Sequence, residues 1–380
     1  MYIVDSNSTT QQYGLGSNYG YVCGGYYIGS YFSTIDRFQF PFNSGIANKV
    51  SNLSRSRYNS SANNSSTHGY VCGGVSVSKT LVFWTSSSWA FTIDRFQFPF
   101  DDGIADHVGN LGRRRNCSGA NNSSTHGYIC GGHNGCHSLF SIERFQFPFD
   151  SGTASQVGNL SGSRFWLSAN NSSTYGYVCG GFVSTFSTID RFQFPFDSGT
   201  ANYVGNLSGS RCFLSANNSS THGYVCGGSS GGWNDDSRYF STIDRFQFPF
   251  DSGTANYVGN LSGSRYWLSA NNSSTYGYVC GGWNGSSLLA IIDRFQFPFD
   301  SGTASQVGNL SGSRIYLSAN NSSTHGYVCG GWDNSSSYFS IIDRFQFPFD
   351  SGTANYVGNL SGNKASSSAT DGVDFVTMFV

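Results

Sequence analysis

The sequence has little charge of either sign and no long apolar run. Asp, Glu, Lys and Arg make up only 11% of the 380 residues, and the 20 basic residues nearly balance the 21 acidic ones. This balance gives no reason to expect a nucleic-acid partner. Because no stretch of about 18 apolar residues occurs, the sequence predicts neither a transmembrane helix nor membrane insertion. Residues 1–5 also lack the basic segment and apolar run of a secretory signal peptide.

Aromatic residues and turn formers are abundant instead. The chain contains 33 Phe and 49 Gly. Disordered proteins combine high charge with few aromatic residues, so this composition argues against disorder. It favours a β-rich fold with a large aromatic core.

A near-identical unit of about 50 residues recurs along the chain. Seven copies of a segment like residues 342–349, Ile-Asp-Arg-Phe-Gln-Phe-Pro-Phe, hold all seven prolines, and a copy of Tyr-(Val/Ile)-Cys-Gly-Gly precedes each of them. One such unit cannot bury its Phe-rich faces alone, whereas seven sheets packed radially can. We therefore predict an all-β fold, a seven-bladed β-propeller, with residues 1–380 as a single domain. A β-solenoid is the competing arrangement, although its repeats are usually shorter.

Each unit is predicted to hold four short strands. In the clearest unit the first strand covers residues 315–319, and the turn Asn-Asn-Ser-Ser-Thr-His-Gly leads to a second strand, Gly-Tyr-Val-Cys. The third strand covers residues 342–349, with alternate Phe side chains on one face, and the fourth covers residues 354–360. The residue type at the position of Tyr356 differs freely between units, which indicates that the fourth strand forms an exposed outer edge.

The two chain ends differ from the units. Residues 365–370 could copy a first strand, and so could residues 10–16. Residues 373–380 repeat the apolar pattern of a third strand. Either terminus could therefore close the ring by pairing within a blade that the other terminus begins.

Ten cysteines suggest a disulfide framework until they are placed in the repeat. Seven occupy one position: Cys23, Cys72, Cys130, Cys179, Cys226, Cys280 and Cys329. Equivalent positions on packed sheets lie about 10 Å apart, whereas a disulfide needs Cα atoms within about 7 Å. We therefore predict that these seven are buried and unpaired. Cys117, Cys136 and Cys212 lie outside the pattern.

The repeat resembles the kelch family over residues 20–364. The shared order is a strand ending in a Gly pair, an Asp-containing strand, a fourth strand, and an Arg that opens the next unit. Kelch units usually carry a Trp in the fourth strand, and none of these does. The repeat is also similar to tandem kelch-like proteins of marine bacteriophages, many of them virion structural proteins, through its Ile-Asp strand, Val-Gly-Asn-Leu and Ser-Ser-Thr-His-Gly. The resemblance implies four-stranded kelch-like blades and a location in the virion.

Seven cations open the units: Arg57, Arg115, Arg164, Arg211, Arg265, Arg314 and Lys364. Seven acids lie in the third strands: Asp36, Asp94, Glu143, Asp190, Asp244, Asp293 and Asp343. Catalysis needs one differentiated site rather than seven equal ones, so we predict no catalytic residue. We expect a structural ring of hydrogen bonds and ion pairs between blades. The alternative is a cationic ring at the channel mouth that holds an anion.

The remaining reactive side chains predict no cofactor. His68, His126, His222 and His325 share one turn position, which Tyr occupies in other units. His133, Cys136 and His137 share a loop, and with Cys117 they could form a soft metal site, but their spacing matches no standard zinc pattern. The kelch architecture includes a copper oxidase, and no Tyr, Cys and His set here can be assigned to its site. We therefore predict no metal.

Variation is concentrated at one rim. The loops between second and third strands, and the residues after the opening Arg, differ between units and fall at the same end of the sheets. Ten candidate ligand-binding residues lie there: Trp84, Trp89, Trp166, Trp233, Trp267, Trp283, Trp332, Tyr26, Tyr27 and Tyr338. Drift in unselected loops is one interpretation, and some side chains could instead fill the core between blades. Exposed aromatic residues are, however, enriched at recognition surfaces.

These observations lead to three hypotheses. The first is a non-enzymatic, virion-associated propeller whose aromatic rim binds a host glycan, a host protein or another virion protein. The second is an intracellular kelch-type adaptor whose rim binds a peptide. An enzyme of the kelch architecture is the third.

Overall fold

The computed structural model describes residues 2–5, 8–11, 18–80, 84–183, 186–231, 238–335 and 337–371. The backbone alone is described at residues 2–5, 8–11, 77–80, 84–87 and 371. The described residues form β-strands, turns and loops and contain no helix. No described segment therefore forms a helix able to cross a membrane.

Four kinds of strand recur. The first strands are Ser61–Asn64, Gly119–Asn122, Ser168–Asn171, Ser215–Asn218, Ser269–Asn272, Ser318–Asn321 and Ser368–Asp371. The second strands are Tyr19–Cys23, His68–Cys72, His126–Cys130, Tyr175–Cys179, His222–Cys226, Tyr276–Cys280 and His325–Cys329. The third strands are Thr34–Gln39, Thr92–Gln97, Ser141–Gln146, Thr188–Gln193, Thr242–Gln247, Ile291–Gln296 and Ile341–Gln346. The fourth strands are Asn48–Asn52, Asp106–Asn110, Ser155–Asn159, Asn202–Asn206, Asn256–Asn260, Ser305–Asn309 and Asn355–Asn359.

These strands pair in the order first, second, third, fourth, and every pair is antiparallel. We number the sheets 1 to 7 by their second strands in chain order. Sheets 2 to 7 each take all four strands from one continuous segment, as the period-two patterns and intervening turns predict.

Sheet 1 combines the two ends of the chain. Its second strand, Tyr19–Cys23, pairs antiparallel with Ser368–Asp371, with Val22 opposite Ala369. Of the two segments that could copy a first strand, the C-terminal one therefore occupies this position. Residues 373–380, predicted to copy a third strand, lie outside the described residues.

An N-terminal hairpin extends sheet 1. Tyr2–Asp5 pairs with Ser8–Gln11 and, on its other side, with Ser368–Asp371. The hairpin backbone contacts the first strands of sheets 2, 3, 4, 5 and 7. It therefore lies on the side of the sheets where the first strands meet.

Neighbouring sheets pack face to face. The first strands contact one another in the order of sheets 2 to 7, and the first strand of sheet 1 contacts those of sheets 7 and 2. The apolar core lies between the sheets, where Tyr278 and Ile292 of sheet 6 pack against Val328 and Phe345 of sheet 7. Repeated four-stranded antiparallel sheets with this packing are compatible with a repeat β-propeller.

Several strand bounds differ from the prediction. The first strand of sheet 7 begins at Ser318 rather than at residue 315, because Ile315 forms an antiparallel bridge with Trp332 instead of continuing the sheet. The third strand ends at Gln346, before Pro348, which has no backbone N–H to donate. Phe345 is buried, and Phe347 and Phe349 pack against the same cluster, as the period-two pattern predicts.

The outer edge and the cysteines agree with the sequence-based predictions. The varying position in the fourth strand is exposed, with Tyr203, Tyr257 and Tyr356 each 54% accessible. All seven repeat cysteines are buried, and none is in a disulfide. Each packs as a small apolar side chain in a core between sheets.

Candidate binding site at the aromatic rim

Each opening cation forms a buried ion pair. The pairs are Arg57–Asp94, Arg115–Glu143, Arg164–Asp190, Arg211–Asp244, Arg265–Asp293, Arg314–Asp343 and Lys364–Asp36. In sheet 7, Arg314 Nη2 lies 2.8 Å from Asp343 Oδ2, and both side chains are fully buried. The same carboxylate accepts a hydrogen bond of 2.9 Å from Ser311 N, which follows the fourth strand of sheet 6. The acid thus links two neighbouring sheets, and the charges are shielded from solvent.

Two residues after each cation, the backbone adopts a left-handed conformation. Seven residues have φ between 51° and 56°: Asn59, Cys117, Trp166, Phe213, Trp267, Tyr316 and Ser366. We call these residues the αL collar. Bulky residues rarely adopt positive φ, at a cost of about 1–3 kcal/mol each, so surrounding contacts must hold them there.

Backbone hydrogen bonds join the collar residues to one another. In each bond the N–H of one collar residue donates to the carbonyl oxygen of the next. The donor–acceptor pairs and their N···O distances are Phe213–Trp166 at 3.1 Å, Trp166–Cys117 at 3.1 Å, Cys117–Asn59 at 3.3 Å, Asn59–Ser366 at 3.0 Å and Ser366–Tyr316 at 3.0 Å. Trp267 lies between Phe213 and Tyr316, with ring centroids 5.5 and 4.7 Å away. The collar therefore draws residues from all seven sheets into one cluster.

The variable loops meet the collar at the same end of the sheets. The residue that precedes a collar residue forms an antiparallel β-bridge with a loop residue that directly follows a Gly pair. Ile315 pairs with Trp332 in this way, and Tyr266 pairs with Trp283. Tyr26 bridges Ala365 in the same way. The predicted convergence of both variable sets is therefore present at these bridges.

A continuous series of aromatic contacts runs along this rim. The ring centroids of Trp166 and Phe213 lie 4.1 Å apart, and Trp267 connects Phe213 to Tyr316 as described above. From Tyr316 onward the centroid distances are 6.3 Å for Tyr316–Trp332, 5.9 Å for Trp332–Tyr338, 5.7 Å for Tyr338–Tyr26 and 5.2 Å for Tyr26–Tyr58. Tyr58 also stacks on Tyr31 at 5.2 Å with the rings nearly parallel. Such pairs are each worth about 0.5–1.5 kcal/mol beyond the area they bury, so the rim is a packed surface.

A cavity of about 300 Å³ lies against the collar. Five collar residues line it: Asn59, Trp166, Phe213, Tyr316 and Ser366. Its other lining residues are Tyr26, Tyr58, Trp332, Tyr338 and Ala365. We call this space the collar cavity. Its volume is at the lower end of the range for small-molecule sites, and its wall is mainly aromatic.

The described residues that line the collar cavity carry no formal charge. Burial raises the pKa of the Tyr58 hydroxyl to about 12 and raises the pKa of Tyr316 well above its ordinary value. Burial likewise raises the pKa of Tyr338. These hydroxyls are neutral at physiological pH, so the wall offers flat apolar surfaces with uncharged donors and acceptors.

The structure brings four of the ten predicted rim residues together. Trp166, Trp332, Tyr26 and Tyr338 line the collar cavity. Tyr27 lies beside this group, with its ring centroid 5.4 Å from that of Tyr338.

The other predicted rim residues lie outside the collar cavity or outside the description. Trp267 is in the collar but does not line the cavity. Trp283 is partly buried opposite Tyr266, and Trp89 packs over Gly135, where an added Cβ would lie 2.5 Å from the indole ring. The side chain of Trp84 and the whole of Trp233 lie outside the described residues.

Sequence reasoning missed several residues of the cavity. Tyr58, Asn59, Phe213 and Tyr316 belong to the variable residues after the opening Arg but not to the ten candidates, and Ser366 is not aromatic. Their common signal is their position one or two residues after the opening cation. Because that segment was assigned to the first strand, its left-handed turn could not be anticipated.

The histidines occupy repeated structural positions. In each of four turns Nδ1 lies 2.8 Å from a Thr hydroxyl, as in His325 and Thr324. His133 Nδ1 accepts a hydrogen bond of 3.0 Å from Gly135 N, and its ring packs 5.0 Å from Phe165. Within the described ranges, no group of three or more His, Cys, Asp or Glu side chains is arranged to hold a metal ion.

Comparison with known proteins adds no relative. No protein-family model matches the chain, and no curated protein matches it.

Proposed function

We propose that this chain is a non-enzymatic binding module, a closed propeller of seven blades that presents its aromatic rim to a surface glycan or protein. The aromatic cavity against the αL collar is the observation that carries the proposal. Seven repeated sheets hold equivalent buried ion pairs, whereas the collar cavity is lined by residues that differ between the repeats. A scaffold that repeats and a surface that varies are the parts a recognition protein needs.

Three observations support seven blades in a closed ring. The first strands contact one another in a complete cycle from sheet 1 through sheet 7. The C-terminal strand pairs with the second strand of sheet 1. Asn359, at the end of the last fourth strand, forms a parallel bridge with Ile46 of sheet 1, the same bridge that links other neighbouring sheets. A ring uses every lateral face of the sheets, so no Phe-rich face is left exposed.

The rim supports recognition rather than catalysis. Aromatic residues bring large contact area with few rotatable bonds, which is why they dominate binding surfaces. The described part of the cavity wall presents no charged side chain, and the opening cations are paired with buried acids instead. We place the protein on a virion by its resemblance to kelch-like phage proteins, with a host surface or another virion protein as the partner.

Binding is tested with the full chain, purified and screened on an array of glycans and on host-cell surface extracts. Replacing Trp332 or Trp283 with Ala should weaken binding while the melting temperature changes little. Tyr203→Ala and Tyr257→Ala are matched controls, because these aromatic residues are exposed on the outer edge. If the Trp variants unfold the protein and spare binding, these residues belong to the core and the rim is not the site.

The virion location needs its own experiment. Mass spectrometry of purified virions whose genome encodes this chain should detect the protein in a stoichiometric ratio to other virion proteins. Detection only in the soluble fraction of infected cells would favour an intracellular adaptor and contradict the virion assignment.

A further inference from the structure

We infer that the collar cavity is a specific site for one uncharged sugar ring, and that the small collar residues Ser366 and Asn59 create the space for it. This inference rests on the proposed binding function and names the ligand class and the residues that determine its size. It follows from an asymmetry among seven equivalent positions.

The collar is divided into two arcs. Four consecutive positions, before the first strands of sheets 4 to 7, hold Trp166, Phe213, Trp267 and Tyr316. The other three, before sheets 1 to 3, hold small residues. These are Ser366, Asn59 and Cys117. The backbone conformation is the same in both arcs, so the difference is one of side-chain volume alone.

The cavity lies where the small arc meets the aromatic one. Ser366 and Asn59 line it, together with Tyr316 on one side and Tyr58 on the other. A Trp at position 366 would adopt the backbone already adopted by Trp166 and Trp267 and would project into this space. The cavity therefore exists because two of the three small collar residues, Ser366 and Asn59, leave this space open.

The wall excludes a charged ligand. Among the described residues neither carboxylates nor cations line the cavity, and the adjacent cations Arg57 and Lys364 are each paired with a buried acid. An unpaired ion loses several kcal/mol of hydration on burial, whereas contact with aromatic faces returns only about 2 kcal/mol. A desolvated cation or anion is therefore disfavoured.

The wall also disfavours a purely apolar ligand. Tyrosine hydroxyls, Asn59 and Ser366 share the surface with the aromatic faces, and burying them without hydrogen bonds costs about 1–3 kcal/mol each. A hexose has apolar C–H faces that pack on aromatic rings and hydroxyl groups that both donate and accept. Its size suits a cavity of about 300 Å³.

The direct test uses the full wild-type chain and defined probes. The probes are methyl glycosides of glucose, galactose, mannose and N-acetylglucosamine, with glucuronate and tetramethylammonium as charged comparisons. Tryptophan fluorescence and saturation-transfer NMR report binding. We expect at least one neutral glycoside to bind and both ions to fail. Binding of tetramethylammonium without any glycoside, or of none of the probes, overturns the inference.

Variants locate the site. Ser366→Trp should weaken glycoside binding by more than about tenfold, with the melting temperature retained, and Asn59→Trp provides a second way to fill the cavity. Cys117→Ser is the control, because Cys117 belongs to the collar but does not line the cavity. If both Trp variants bind the glycoside as the wild type does, the cavity is not the site.

The two proposals fail differently. Loss of array binding in Trp283→Ala with full binding in Ser366→Trp would overturn the cavity and preserve the rim. Absence of any wild-type ligand on the array and on cell extracts would overturn the proposed function itself.

Discussion

The buried ion pairs differ between sheets in one hydroxyl group, which leads to a quantitative prediction. In five sheets the residue that begins the third strand accepts a hydrogen bond from the opening cation, as Thr188 does from Arg164 Nη1 at 2.6 Å. The equivalent pairs are Lys364–Thr34, Arg57–Thr92, Arg115–Ser141 and Arg211–Thr242. Sheets 6 and 7 carry Ile291 and Ile341 at this position.

The two Ile residues leave a buried donor unsatisfied. Nη1 of Arg265 and Nη1 of Arg314 are buried, and neither has a hydrogen-bond partner among the described residues. A hydrogen bond to a charged group contributes about 1.5–3 kcal/mol. Replacing a partly buried Ile with Thr sacrifices about 1 kcal/mol of apolar burial. We therefore predict that Ile291→Thr and Ile341→Thr each stabilise the fold by about 1 kcal/mol.

Chemical denaturation measures the effect, and Thr188 allows the opposite substitution to be tested in the same chain. The midpoint should rise for each single variant and nearly additively for the double variant, because the sites lie in different sheets. Thr188→Val removes only a hydroxyl from a site that has one and should destabilise by about 1–3 kcal/mol. If the Ile variants lower the midpoint while Thr188→Val leaves it unchanged, the hydroxyl does not stabilise the guanidinium and the reasoning is wrong.

Three further predictions follow from other parts of the molecule. Burial raises the pKa of the Cys280 thiol, whereas Cys136 is exposed. A thiol reagent should therefore label one residue rapidly in the native protein and all ten after denaturation, and fewer than seven slowly labelled thiols would contradict the absence of disulfides among the repeat cysteines. Arg344 donates a hydrogen bond to the side-chain oxygen of Asn43, whereas the equivalent Arg in other sheets pairs with an Asp. Asn43→Asp should therefore stabilise the contact between sheets 7 and 1 by less than about 1 kcal/mol. A stabilisation that 0.5 M salt does not reduce would exclude an ion pair. Truncation after Lys364 removes the first strand of sheet 1 and should lower the melting temperature and open sheet 1 to proteolysis, whereas an unchanged cleavage pattern would show that this strand is dispensable.

Much of the fold could be predicted because seven copies of one pattern repeat it. A single Phe-Gln-Phe-Pro-Phe segment fits several structures, but its recurrence after Tyr-Val-Cys-Gly-Gly requires a strand, a turn and a strand every time. The distance between packed sheets then excluded disulfides among the repeat cysteines, and all seven are buried outside any disulfide.

The collar could not be predicted for a physical reason. Trp166 and Tyr316 have high strand propensity, and nothing in their identity signals a left-handed backbone. Contacts between sheets impose that conformation, so the collar is a tertiary property. The aromatic pattern therefore indicates Trp332 and Tyr338, which line the cavity, but it does not indicate Ser366 and Asn59, whose small size shapes the cavity.

The joining of both chain ends in sheet 1 has a consequence for synthesis. Tyr19–Cys23 emerges from the ribosome about 345 residues before its neighbour Ser368–Asp371. At about 5–20 residues per second, the intervening chain takes roughly 17–70 s to translate. Sheets 2 to 7 can each form as their own segments emerge, whereas Tyr19–Cys23 waits with one edge unpaired. Unpaired edges recruit other strands, so a polysome carrying many copies of nearly identical repeats is exposed to mispairing until Ser368–Asp371 has emerged.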